Sequence, residues 1–204
     1  MLLSEQRLFM MTKVRSNKLS RLSQGDIFKD VEMVEYIIER NGLLEYSKIV
    51  FPLIVVLTQD CDLEQDHKFR RDGNSNKTQD KWIMSILLAP LYNVEHVYQG
   101  EHLSELDLRM EIINKTKSPG KTLRNNERPR YHYLSFPPSI PITDSVVDFK
   151  HYFSVNGRYL HRLRTKNFVC RLAPLFREDL SQRFAAYSSR IGLPQEFKSH
   201  NYPK

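Results

Sequence analysis

Hydrophobic and polar positions change period several times along the 204 residues, and each change predicts an element. Asp26 to Glu39, DIFKDVEMVEYIIE, alternates in part, as a strand with one buried face requires. Asn41-Gly42 is a hairpin turn signal. Ile49 to Thr58, IVFPLIVVLT, is apolar on both faces and belongs at a sheet centre, with Pro52 marking a bulge or a position that needs no ladder donor. Residues 67–81 read as a polar loop turning at Asp72-Gly73, and Trp82 to Leu91 returns as a third strand. From Val94 to Lys117 the period lengthens: Val97, Leu103, Leu106, Met110 and Ile113 fit a helical stripe, interrupted near Gly100 and ended by Pro119-Gly120. A basic loop, YHYLSF and a bend at Pro137, Pro138 and Pro141 lead to a strand pair, SVVDFKHYFSV and GRYLHRL, joined at Asn156-Gly157. Leu175 to Ile191 predicts a helix with Leu180, Phe184, Tyr187 and Ile191 on one face, stopped by Gly192 and Pro194. The expected class is α+β around a small barrel.

Composition narrows the function classes. Hydrophobic content of 40% with 11% aromatic suits a folded globular chain. No run reaches the roughly 18 apolar residues of a membrane helix, and the N-terminus lacks the apolar core of a signal peptide, so a cytoplasmic chain with no membrane partner is expected. Two cysteines, Cys61 and Cys170, give no disulfide framework. The formal charge of +7 favours polyanionic partners, and its distribution is uneven. Lys115, Lys117, Lys121, Arg124, Arg128 and Arg130 stand against a single acid, Glu127, while Arg158, Arg162, Arg164, Lys166 and Arg171 occupy a stretch with none. These two segments are candidate nucleic-acid surfaces or else solvated loops.

The order of segments resembles the MazF/PemK toxin family of SH3-like barrels. Gly25-Asp26-Ile27 resembles its opening strand, and Pro52 to Thr58 its second core strand ending in a hydroxyl residue. Ile86 to Pro90 resembles the next strand with its terminal proline, Ser145 to Lys150 a later one, and a C-terminal helix closes both. The resemblance covers about a third of the chain and implies a small curved antiparallel SH3-like barrel. Residues 92–130 would then be an inserted helical and basic segment, with 1–20 a basic extension (loose, or a short docked helix), 21–194 one domain and 195–204 a tail. It also implies metal-independent cleavage of single-stranded RNA; a protein partner or antitoxin, and a homodimer, stay open as partners. Family members use an arginine just before the proline of the second strand, and Phe51 stands there instead. Lys48 or a basic residue of the insertion could supply the missing cation.

LTQDCDLEQD, residues 57–66, sets Asp60, Asp62, Glu64 and Asp66 at every second position around Cys61. On a continuing strand the four acids share one face and need cations, a metal or water, and Cys61 points to the core. The catalytic candidates are Thr58, Asp60 and Asp62. The bland alternative is a turn in which both aspartates bond backbone amides. Asp148, Lys150 and His151 form a second polar group, with Asp148 and Lys150 expected on one face and His151 on the other. Tyr131-His132-Tyr133 either stacks bases or covers the core. The leading reading is an RNA-acting, MazF-like endoribonuclease without a cofactor. The alternatives are a non-catalytic barrel binding nucleic acid or protein, and a carboxylate-metal nuclease holding Mg2+ at Asp60 and Asp62.

Overall fold

The computed structural model describes residues 11–71 and 78–190. The Asp72-Gly73 turn, the helix stop at Ile191, Gly192 and Pro194, the tail and the first ten residues lie outside that set. The longest hairpin organises the sheet: β2 (Asp26–Arg40) and β3 (Leu43–Val56) pair antiparallel through the expected turn. Asn41 and Gly42 both take positive φ, 53° and 75°, the mirror-image turn that matches strand twist. Pro52 sits where the ladder skips a pair, between Lys29↔Leu53 and Val31↔Phe51. Asp30, on the other strand there, has a φ of 53°. The proline's missing N–H is thus spent where no ladder donor is needed.

Around this hairpin the sheet gains β1 (Val14–Arg15), β4 (Ser85–Asn93), β5 (Tyr131–Leu134), β6 (Ser145–Asp148), β7 (Phe153–Asn156) and β8 (Phe168–Leu172). The order is β1-β8-β2-β3-β4-β6-β5, with β7 also on β4 and every pairing antiparallel. It is a curled half-barrel closed by a C-terminal helix, the α+β architecture expected from the pattern. β1 falls inside the segment expected to be loose or helical, and pairs Val14 with Leu172.

Both faces of the sheet are covered. Ile27, Val55, Leu91, Val147 and Phe149 pack under α5 (Pro174–Ser188) through Leu180, Phe176, Phe184 and Tyr187. Phe28, Ile54, Val56 and Leu88 pack under Leu160 and Leu163 of α4 (Gly157–Asn167). A third cluster joins Val94, Val97 and Tyr98 of α2 (Val94–Gln99) and Leu123 of α3 (Ser118–Arg124) to Tyr131, Tyr133 and Val146. Each fully buried large apolar side chain contributes on the order of 2 kcal/mol over its exposed state.

Four local expectations are corrected. Residues 157–167 are helix, not a strand after a turn, because the Asn156 side chain accepts from Arg158 N and caps α4. The helical stripe after Val94 stops at Gln99, where Gly100 at φ 73° caps it, and Pro119-Gly120 begins α3 instead of ending a helix. Residues 60–71 form helix α1 (Asp60–Arg71), with acids in its first turn and bases in its last, as the helix dipole favours. Cys61 is consequently exposed, not turned to the core. Among the described residues no helix is long and apolar enough to cross a membrane.

Candidate functional site

Helical spacing scatters the acids of LTQDCDLEQD. Asp60 accepts from Arg21 Nη1 and Nη2 (2.9 and 3.0 Å), Arg177 Nη1 (3.0 Å), Gln24 N (3.2 Å) and the Ser23 hydroxyl. Burial opposes its charge, but bonds from Arg21 and Ser23 and the field of Arg177 outweigh it and hold the carboxyl well below the usual range. This carboxylate has no free lone pair to offer a substrate or metal. It ties the 21–24 segment and α5 to the start of α1. Glu64 pairs with Lys68 at 2.6 Å and Asp66 with Arg70 at 2.8 Å, each one helical turn apart. Arginines and a lysine are therefore the cations these acids required. Asp62 is exposed beside Thr58 in a hollow of about 350 Å³, and Thr58 Oγ1 accepts from Leu87 N at 2.7 Å, finishing the β3 ladder.

A different site grows from an interruption in the sheet. β6 and β7 run along the same edge of β4, so that Leu91↔Val147 and Leu88↔Phe153 belong to one line of pairing. Three steps along β4 thus match six along the partner, and the surplus is extruded as a 3-10 turn, Phe149–His151. The turn falls opposite Pro90. Leu87 O accepts from Leu57 N and Leu87 N donates to Thr58 Oγ1, both on the β3 side. Alternation then aims Pro90 at the extruded turn, where it has no N–H to give. Asp148 caps the turn by accepting from Lys150 N at 3.0 Å. One turn brings His151 back beside Asp148, with Nδ1 3.5 Å from Oδ2, while Lys150 is exposed. This reverses the expected pairing of Asp148 with Lys150.

Three more side chains complete the cluster. Arg130 Nε donates to Asp148 Oδ1 at 2.8 Å and Nη2 to Oδ2 at 2.5 Å, a two-pronged grip on a fully buried carboxylate. Tyr92, on β4, places its hydroxyl 3.2 Å from His151 Nδ1. His102 arrives from the segment after α2, which Met110 N folds back onto Gly100 O at 2.9 Å. Its ring lies 4.9 Å from Tyr92 and 6.2 Å from His151. Both ring nitrogens of His102 are buried without a hydrogen bond of good geometry, the His96 carbonyl exerting only a weak pull. Burial, helped by His151 and Arg130 and opposed by Asp148, pushes His102 down to about 4, and burial lowers His151 as well. Two neutral imidazoles thus face one carboxylate, with ligand atoms of all three within 4.8 Å of one another.

The basic candidates divide. Arg130 is committed to Asp148, Lys115 to Glu95 (2.5 Å), and Arg124 to the Tyr98 hydroxyl (3.0 Å). Arg128 and Arg130 both lie over the Tyr131 ring, at 5.3 and 5.0 Å. Lys117 and Lys121 are exposed. Arg158 and Arg162 extend to Lys166 as an exposed stripe along α4, whereas Arg164 donates to Leu19 O. Tyr131, His132 and Tyr133 are buried in β5 and support the core. The half-exposed ring beside the cluster is Tyr152, 51% accessible. At the position of the MazF arginine, Phe51 is buried and stacked on Phe153 at 4.8 Å. Lys48 is paired with Glu32 at 2.5 Å.

No protein-family model, curated protein or solved structure matches this chain. Asp148 and His151 were visible in the sequence as a polar group. His102 and Arg130 were missed as their partners because no local spacing links either to them. The readable signal was Asp148 followed three residues later by His151, which meet only if the chain turns.

Proposed function

We propose that this protein acts on RNA, with the His102–Asp148–His151 cluster as its reactive centre and the 117–130 segment as its phosphate-binding surface. The observation that carries the reading is the position of Arg130. It belongs to the basic segment, stacks on Tyr131 and grips the carboxylate that stands beside His151. A phosphate backbone drawn to Lys117, Lys121 and Arg128 would arrive next to the cluster. There Arg130 offers positive charge to a developing phosphorane, and the exposed Tyr152 ring offers a face for an unstacked base. The cation lacking at Phe51 is thereby supplied by the insertion. The segment order that resembles MazF/PemK toxins supports the same substrate class, and a cytoplasmic setting suits two unpaired cysteines.

Purified protein incubated with mixed-sequence single-stranded RNA and DNA tests the reading. RNA should be cleaved, DNA spared, and His151→Ala should lose the activity while remaining folded. RNA that is bound but left intact would make the chain a non-catalytic binding module. RNA neither bound nor cleaved would overturn the proposal.

A further inference from the structure

We infer that His102, Asp148 and His151 form a binding site for a divalent transition metal, with Zn2+ as the ion the ligand set suits best. Two imidazoles and one carboxylate are the donors of many catalytic zinc centres, which leave the remaining position to water or substrate. One edge of the site is already formed. Ligands at about 2.0–2.1 Å from a tetrahedral ion are roughly 3.3 Å apart, and Asp148 Oδ2 stands 3.5 Å from His151 Nδ1. All three ligand atoms lie within 4.8 Å, so His102 needs to close by about an ångström or slightly more to complete the set. It sits in a loop segment, not a strand, and its buried ring nitrogens have no good hydrogen bond to give up. A neutral imidazole with an uncommitted lone pair is the form that binds metal.

The surroundings fit an outer shell. The carboxylate is oriented by Arg130 and by Lys150 N: Oδ1 accepts from Arg130 Nε and Lys150 N, and Oδ2 from Arg130 Nη2 (2.5 Å) and, at a longer 3.1 Å, from Nε, the bond that a metal at Oδ2 would displace. The Tyr92 ring packs against both imidazoles, 4.9 Å from one and 5.8 Å from the other. Arg130 also limits the affinity, because its charge opposes a second cation nearby. With metal bound the centre carries net positive charge, which suits an anionic ligand such as a phosphodiester. The Phe149–His151 turn explains why these ligands converge where a continuous strand would have separated them.

The site goes beyond the RNA reading and fails independently of it, since its test needs no RNA. Full-length protein stripped of metal is titrated with Zn2+ against a chromophoric chelator, and with Co2+ by visible absorption. We expect one equivalent bound at low micromolar concentration, a Co2+ spectrum of low coordination number, and a raised Tm on Zn2+ addition. His102→Ala and His151→Ala should each weaken binding by more than about a hundred-fold, beyond the 10–100-fold of an outer-shell loss. Cys61→Ser should bind as the wild type does, because that exposed thiol is no part of the set. Both histidines are only partly buried, so their variants should fold, and far-ultraviolet circular dichroism verifies that. No stoichiometric binding by the wild type, or binding unchanged in both histidine variants, would overturn the inference.

Discussion

Arg130 closes both prongs of its guanidinium on Asp148, at 2.8 and 2.5 Å, although the carboxylate is fully buried and the arginine side chain is 29% exposed. Taking away the cation leaves a buried, uncompensated charge. Arg130→Ala should therefore cost about 2–4 kcal/mol, at the lower end of what breaking a buried pair costs, because solvent reaches the arginine. Asp148→Asn in the same chain should recover a large part of that loss. Urea unfolding of the two single variants and the double variant measures the coupling.

Asp60 carries a structural load that Asp62 does not. In the sequence both stand as catalytic candidates. With Arg21, Ser23, Gln24 and Arg177 all converging on it, Asp60→Asn should instead cost about 2–4 kcal/mol. Asp62→Asn, on an exposed face, should stay within about 0.5 kcal/mol of wild type. Thermal melts of the two variants distinguish them.

His132 makes stability depend on pH. Burial, with Arg183 nearby, pushes it down to about 3, and its Nδ1 is buried without a hydrogen bond. The unfolded chain takes up a proton near pH 6.5 that the folded chain refuses until about pH 3. The stability that His132 contributes should accordingly fall as pH drops through that window, opposed between about pH 6 and pH 4 by Asp26, which burial pushes up to about 6 so that the folded chain takes up its proton first. Below about pH 4 the depressed Asp60 carboxyl adds to the fall, because the unfolded state protonates there first. His132→Leu should flatten the upper part of the profile, measured as urea midpoint against pH.

Two glycines test how His102 is delivered. Gly42 and Gly100 both take positive φ, but a Cβ on Gly42 meets nothing within 4 Å, whereas one on Gly100 runs into the Met110 carbonyl. Gly42→Ala should cost about 1–2 kcal/mol, the strain of a left-handed alanine. Gly100→Ala should cost more and should displace the 101–110 segment. The readout is the imidazole resonances of His102 and His151, which should shift in Gly100→Ala and stay in place in Gly42→Ala.

Much of the fold was legible because it rests on local periodicity. The β2–β3 hairpin, β4 and the helix ending the described chain follow from alternation, an Asn-Gly turn and a 3.6-residue stripe. The misread segments are those where two periods fit equally well. GRYLHRL accepts a strand or a helix, and Asn156 decides between them by capping. QDCDLEQD alternates like a strand, yet its i,i+4 acid–base pairs belong to a helix. The site was harder to read because its geometry is set by a surplus of residues opposite Pro90, far away in the chain. No window around Asp148 contains that information.

Salt dependence separates an RNA-binding chain from one whose basic segment is only a solvated surface. Fluorescence anisotropy of a labelled, mixed-sequence single-stranded RNA is followed across a salt series for wild type and for Lys117→Ser with Lys121→Ser. Both lysines are exposed, so the double variant should fold as wild type does. Log affinity should fall linearly with log salt concentration. Losing two phosphate contacts should flatten that slope by up to about 1.4, at roughly 0.7 per contact on a single strand. Absence of binding at low salt, or binding that ignores both salt and the two lysines, would contradict the RNA-binding reading.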